Sequence, residues 1–309
     1  MFKRIGKAIN DGNIFAKIYK HMISAKHFFY IKDENIRREQ QNLIIYEHLK
    51  KKFSYVLDKE IPIEERKRGD KIWTCWFQGM DNAPLLCQVG SSRMKQLFGE
   101  DNVVIITEEN YKEYVDLPDY IIEKWKDGTI SYTHFSDIIR YCLLYAYGGT
   151  WIDSTILILD NNYPSYFFDS ELFLFADYIS GTVPNIQSSF ISAYSHSQLV
   201  GCVRELIFEY WKRENYTIDY NMYHMFFQMA EERYPIEWKK VYRFPNHCTH
   251  ILRKYLFEPF DEKQYKQIKE MCPIQKLSHK KHVDGNISGS FYDVLINHGK
   301  EYLGIKDVS

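Results

Sequence analysis

Apolar and polar positions along the chain fall into two textures. In the first sixty residues apolar side chains recur every three to four positions: Phe2, Ile5 and Ile9, then Ile14, Phe15, Ile18 and Met22. That spacing gathers them on one helical face. Asp11-Gly12-Asn13 breaks the pattern, and Asn13 is placed to cap the second of two short helices. A further helix is expected over 33–59, with Leu43, Ile44, Leu49, Phe53 and Val56 packing on protein. Residues 60–70, with Pro62 and mixed charges, read as a linker. From 71 onward short β-branched and aromatic runs alternate with helical patterns. Strands are expected over 71–77 and 103–107 and extended chain over 151–160. Helices are expected from Pro84, a favoured first-turn residue, to 98, over 111–115, 118–125 and 133–147, and over 219–233. Alternating strands and helices imply an α/β layer fold with a mostly parallel sheet, here assigned to 71–309 and preceded by an N-terminal helical extension over 1–60.

Composition sharpens this picture in one place. Lys and Arg total 40 against 41 Asp and Glu, a formal charge of −1. A neutral total argues against nucleic acid, which needs a basic footprint to release counterions from phosphates. The distribution is uneven, however. Lys3, Arg4, Lys7, Lys17, Lys20, Lys26 and Lys32 face a single Asp11 within residues 1–32, about +6, which leaves about −7 for the rest. A basic amphipathic helix pair suits an anionic membrane surface; an ordinary surface hairpin fits the same pattern. No apolar run reaches the roughly 18–20 residues of a membrane span, and no signal peptide opens the chain. Cys75, Cys87, Cys142, Cys202, Cys248 and Cys272 are scattered without C-x-x-C spacing, as expected of small buried hydrophobes in a reducing compartment. The expected location is the cytoplasm, at the inner face of the cell membrane if the basic arm docks there.

The chemistry concentrates in two adjoining pieces, Ser136-Asp-Ile-Ile-Arg140 and Gly148-Gly-Thr-Trp-Ile-Asp153-Ser-Thr155. Asp137 and Arg140 stand three apart on a helix and project from one side, away from its apolar face. Gly148-Gly149 allows a tight reversal into a strand whose end delivers Asp153 to the sheet edge, where ligands of open α/β sheets bind. The same spacing also fits a surface ion pair followed by a turn-capping carboxylate.

The run from Phe135 to Thr155 resembles the core of capsular polysaccharide synthesis glycosyltransferases, relatives of glycosyltransferase family 32 and, more distantly, of the glucosylating clostridial toxins. The resemblance starts at Lys71-Ile-Trp-Thr-Cys-Trp-Phe-Gln-Gly79, continues through Ala83-Pro84, and returns weakly at Asn185-Ile-Gln-Ser-Ser-Phe-Ile191 and Lys276-Leu-Ser-His-Lys280. It implies a GT-A-like, Rossmann-type nucleotide-sugar-binding domain, a UDP-sugar donor, and a lipid-linked glycan acceptor in capsule or surface polysaccharide synthesis, with retention of anomeric configuration. It further implies that Trp76 stacks on the nucleotide base, with Gln78 and Ser136 in the donor site. Asp137 would accept sugar or ribose hydroxyls, Arg140 would hold the sugar or diphosphate, and Asp153 would meet a metal or ribose. Lys276 and Lys280 would meet the leaving diphosphate, and His279 would return to a bound Mn²⁺ or Mg²⁺.

One departure stands out: where the family pattern carries Asp-x-Asp this chain reads Asp153-Ser-Thr155. Mg²⁺ and Mn²⁺ favour carboxylate oxygens supplemented by phosphates and water, so Thr155 makes a poorer ligand than the carboxylate it replaces. Two alternatives stay open at this level, a non-catalytic sugar-nucleotide-binding regulator and a toxin-like transferase acting on protein. His247-Cys-Thr-His250 has an i,i+3 spacing but lacks the further ligands of a zinc site. Tyr220, Tyr223 and His224 could line an acceptor cleft or belong to the core.

Overall fold

The computed structural model describes residues 32–176, 183–278 and 287–304. The expected basic helix pair within 1–31, and the segment carrying His279 and Lys280, lie outside the described residues. The first helix among the described residues, α1 (Glu34–Leu57), opens where the Asp33 carboxylate accepts the N–H groups of Asn35 and Ile36 at 2.9 and 3.0 Å. Its buried face is Ile45, Tyr46, Leu49, Phe53 and Val56; Leu43, expected inside, is exposed. These side chains enter the same apolar cluster as the main sheet, so α1 packs as a part of the α/β body.

The chain then forms β1 (Ile72–Cys75), α2 (Leu85–Phe98), β2 (Val103–Ile106), α3 (Asp119–Lys126), α4 (Tyr132–Tyr147), β3 (Gly149–Ile152), β4 (Ile156–Ile158), β5 (Leu172–Ala176) and β6 (Ile186–Ala193). It continues with α5 (Gln198–Arg213), α6 (Met222–Arg233), β7 (Tyr242–Phe244), α7 (Glu262–Met271), β8 (Ile274–Lys276) and α8 (Phe291–Asn297), with single turns of helix between several of them. Six strands form one sheet in the order β2-β1-β3-β6-β5-β7, and β4 pairs with β8 in a separate antiparallel ribbon. Pairings β1–β2, β1–β3 and β5–β7 are parallel, whereas β6 runs against both its neighbours. The fold is therefore α/β with a mostly parallel sheet, as expected, but with one reversed strand that alternation of elements does not reveal. The extended chain expected over 151–160 is two strands from different sheets, joined by a turn in which the Ile156 N–H donates to the Asp153 carbonyl at 2.8 Å.

Alternate residues of each strand feed opposite cores. Trp73, Ile106 and Trp151 face the layer containing Phe135, Ile138 and Ile139 of α4. Ile72, Val103 and Ile152 face the layer containing Met94 of α2. The two helices flanking β1 therefore lie on opposite sides of the sheet. From β1 the chain moves outward to β2, then returns to place β3 on the other side of β1. That reversal of strand order opens a crevice at the carboxyl ends of β1 and β3, the place where open α/β sheets bind ligands. Trp76 and Asp153 follow those two strand ends directly.

The Gly148-Gly149 turn fixes this geometry. Both glycines have positive φ, +67° and +90°. The Gly148 N–H closes α4 on the Leu144 carbonyl at 3.1 Å, and the Trp73 indole donates to the Gly148 carbonyl at 2.8 Å. A Cβ on Gly149 would lie 2.4 Å from the Lys71 carbonyl oxygen, so β1 and β3 meet here with no room for a side chain. Among the described residues no helix is long and apolar enough to cross a membrane. All six cysteines are free, and five are buried. The turn supplies a test. Gly149→Ala combines left-handed strain with a backbone clash and should cost about 2–4 kcal/mol. Gly128→Ala, at φ +82° with open space around it, should cost about 1 kcal/mol. Urea denaturation of the two variants measures both, and equal costs would show that the Gly149 contact is relieved by movement.

Candidate functional site

Four charged side chains meet at the crevice. Helix α4 begins at its Ser131 cap, whose hydroxyl accepts the His134 N–H, and carries Asp137 and Arg140 toward the end of β3. Arg140 Nη1 donates to Asp137 Oδ1 at 2.7 Å and to Ser188 Oγ at 2.7 Å, and Nη2 donates to Asp153 Oδ1 at 2.7 Å. The guanidinium also lies over the Trp151 ring, 4.8 Å from its centroid. Sequence spacing placed the Asp137–Arg140 pair on the polar side of the helix; the Arg140 side chain is in fact only 3% exposed. The reason is that β3 and the reversed strand β6 close over that side and supply Asp153 and Ser188 as partners. Arg140 therefore spends both Nη groups on protein partners, while its buried Nε–H finds none, and its place behind the two carboxylates keeps it from direct reach of a ligand.

Asp153 is the centre of the arrangement. Its Oδ1 accepts from Arg140 and from the Trp151 indole N–H at 2.7 Å, while its Oδ2 accepts from Lys276 Nζ at 2.5 Å. Lys276 Nζ also donates to Thr155 Oγ1 at 2.5 Å. The register of the ribbon brings these residues together across a large sequence separation: Ile156 pairs with Lys276, and the Leu277 N–H donates to the Thr155 carbonyl. Gly90 of α2 lets the helix approach this turn, since a Cβ there would sit 2.8 Å from the Ile156 carbonyl oxygen.

The two carboxyls differ electrostatically. Burial opposes ionisation of Asp153, but Lys276 and Arg140 together outweigh it and hold its carboxyl below the usual range. Asp137 is dominated by burial, which Arg140 only partly offsets, and its carboxyl is raised. His224 of α6 approaches from the opposite side. Its Nε2 lies 3.0 Å from Ser188 Oγ and accepts the Ser188 N–H at 3.3 Å. Burial and then the Arg140 charge lower its pKa to about 4, so it is a neutral imidazole buttressing Ser188.

The structure thus gathers Asp137, Arg140, Asp153, Thr155 and Lys276 into one connected cluster. Trp76 is half-buried at the exit of β1, distinct from Trp73, which is core. Gln78 is exposed in the following loop, where its carbonyl accepts the Asn82 side-chain amide. The Ser136 hydroxyl donates to the Thr133 carbonyl within its own helix. Neither Ser188 nor His224 was assigned to the site from sequence: the weak match over 185–191 was the only hint to the first, and His224 was singled out only with Tyr220 and Tyr223 as cleft or core. Tyr223 is core, donated to by the Trp211 indole. Tyr220 is 64% exposed and sits beside His134. His250 is engaged by Gln187.

A divalent cation was expected on Asp153, Thr155 and His279. Among the described residues no three His, Cys, Asp or Glu side chains gather into a metal-binding group. Both Asp153 oxygens are occupied by hydrogen-bond donors, and the ammonium of Lys276 stands between Asp153 and Thr155. Asp153 and Thr155, as folded, do not fit a metal ion, which would have to displace Lys276, and His279 lies outside the described residues.

The model of one family, described as capsular polysaccharide synthesis protein, matches residues 24–295. The chain belongs to that family. This match spans α1 as well as the α/β body as far as Leu295 in α8, in keeping with their shared core. No curated protein matches the chain. A solved structure titled PaToxG Glycosyltransferase is similar at 12% identity and a TM-score of 0.39, over 93% of this chain and 97% of its own.

The cluster's energetics can be tested apart from any activity. Arg140→Met leaves two partly buried carboxylates without their shared cation and should destabilise the protein by about 3 kcal/mol, the lower end for a broken buried pair. Adding Asp137→Asn to that variant removes one uncompensated charge and should return at least about 1 kcal/mol. Denaturant titration of the two single variants and the double variant checks this, and strictly additive costs would refute the shared charge network.

Proposed function

We propose that this member of the capsular polysaccharide synthesis family is a glycosyltransferase that moves a sugar from a nucleotide-sugar donor to a glycan acceptor. The observation that carries the reading is the Asp137–Arg140–Asp153–Lys276 cluster at the carboxyl ends of β1 and β3, where strand order reverses. Trp76 at the exit of β1 offers an aromatic face for a base. Asp137, with one oxygen engaged by Arg140, accepts a donor hydroxyl with the other. Arg140 is a positioning residue that fixes both carboxylates. In transfer the bond between the anomeric carbon and the diphosphate oxygen breaks with its electron pair passing to that oxygen. The acceptor hydroxyl oxygen bonds to the same carbon and its proton passes to the departing diphosphate. Fixed positive charge near that oxygen favours the transition state, because it is in place before the charge develops. We read the donor as a UDP-sugar, the outcome as retention, and the acceptor as a lipid-linked glycan.

A panel of nucleotide-sugars tested by thermal shift decides the first step. A donor at about 100 times its Kd should stabilise the native state by about 2.7 kcal/mol. Asp137→Asn and Asp153→Asn should each lower donor hydrolysis or transfer by at least about 100-fold, a loss of roughly 2.7 kcal/mol in the barrier, with far-UV circular dichroism unchanged. Donor binding without turnover would favour the regulatory reading, and no binding by any nucleotide-sugar would overturn the proposal.

We also propose that the basic residues of 1–32 bind the inner face of the cell membrane. Each Lys or Arg near an anionic surface contributes about 1 kcal/mol. Removing 1–32 should abolish co-sedimentation with phosphatidylserine vesicles at low salt while leaving the thermal midpoint in place. Unchanged sedimentation would refute this arm.

A further inference from the structure

We infer that the Lys276 ammonium is a built-in cation occupying the place of a divalent metal at the Asp153–Thr155 edge, so that this site binds a nucleoside diphosphate without one. The inference rests on the glycosyltransferase reading. Lys276 Nζ lies 2.5 Å from both Asp153 Oδ2 and Thr155 Oγ1. A cation held by those two oxygens would stand at the same point, and like charges exclude a second ion from it. The ammonium has three N–H donors; two are used by Asp153 and Thr155, and the third is left for a ligand oxygen. Lys276 is 20% exposed, against 3% for Arg140, so of the two cations on Asp153 only the lysine opens toward a ligand.

The departure from Asp-x-Asp acquires a physical reason. A divalent ion gains from a second carboxylate, whereas a lysine needs one carboxylate and a neutral acceptor. Asp153 and Thr155 provide that pair. The strand register of β4 and β8 holds the lysine stem, and Arg140 on the far oxygen of Asp153 keeps the carboxylate turned toward it. A fixed ammonium is a weaker charge than a divalent metal, but it needs no recruitment and loses little entropy when ligand arrives.

The full chain, stripped with EDTA, can be titrated with Mn²⁺ by electron paramagnetic resonance and with UDP and inorganic pyrophosphate by calorimetry. The wild type should take up no stoichiometric Mn²⁺, and its affinity for UDP should change less than about threefold between EDTA and Mn²⁺. Lys276→Ala should lose at least about tenfold in UDP and pyrophosphate affinity in EDTA, gain Mn²⁺ binding, and recover affinity when Mn²⁺ is added. Lys276→Gln keeps the hydrogen bonds without the charge and serves where the alanine variant fails to fold. A wild type that binds stoichiometric Mn²⁺ and requires it for UDP would overturn the inference, as would Lys276 variants binding UDP normally in EDTA. Should neither UDP nor pyrophosphate bind under any condition, the glycosyltransferase reading fails. The Mn²⁺ titrations still decide the lysine's place: uptake by the variants alone supports it, and uptake by neither or by both refutes it.

Discussion

A single carboxylate, Asp153, joins three layers of this molecule. Through Oδ1 it holds Arg140 of the helix that packs on one face of the sheet, and through Oδ2 it holds Lys276 of the ribbon attached to the other. Its backbone N–H is donated to the Ser189 carbonyl of the reversed strand β6 at 2.8 Å. Burying one charged group costs several kcal/mol unless it is paired and hydrogen-bonded. Here each charge is offset by its neighbours, with two acidic and two basic groups in mutual contact. Removing any one leaves the others in a poorly solvated place, so the layers are locked in relation to one another by a polar device.

That device also separates the two carboxyls. Asp153 is flanked by two cations and stays ionised, while Asp137 shares only Arg140 and feels its burial more strongly. Environments that push two carboxyls apart assign them different tasks. Asp153 serves as the fixed anion that orients a cation. Asp137 has one oxygen anchored by Arg140 and, with a single cation beside it, is the more reluctant of the two to ionise. His224 extends the same logic, since a neutral imidazole adds shape and hydrogen bonding behind Ser188 without perturbing the charge balance.

Much of this was legible in the sequence, and the failures are physically specific. Asp137, Arg140 and Asp153 lie within seventeen residues, and helix spacing together with the Gly-Gly turn brought them to one strand end. Strand and helix positions from β1 to α4 agreed to within about two residues. Arg140, by contrast, was placed only on the polar side of its helix, because helical periodicity describes one helix and contains nothing about the strand that will cover it. The antiparallel course of β6 is equally silent, because a buried run of apolar and small residues fits either direction. Lys276 was chosen from the resemblance, yet its link to Asp153 depends on a strand pairing across more than a hundred residues. Leu43 was misplaced for a different reason: it lies two positions from Ile45, on another side of α1, and Ile45, four before Leu49 and eight before Phe53, continues the buried stripe.

The topology explains why cation and anions arrive from different parts of the chain. After Asp153 the backbone leaves the main sheet, and β4 pairs with β8 while β3 remains paired with β1 and β6. The turn between β3 and β4 therefore lies at the junction of two sheets, with an apolar cluster on each side. Low-polarity walls strengthen interactions within the junction and make an unmatched charge there expensive. A lysine delivered by β8 meets Asp153 only when the ribbon has formed, so the charge balance of the site is completed by the same event that closes the carboxy-terminal core of Leu157, Leu252 and Leu277. The electrostatics of the crevice are in this sense a consequence of tertiary pairing, and a chain that formed the main sheet alone would present two carboxylates and one buried arginine without the cation that faces outward.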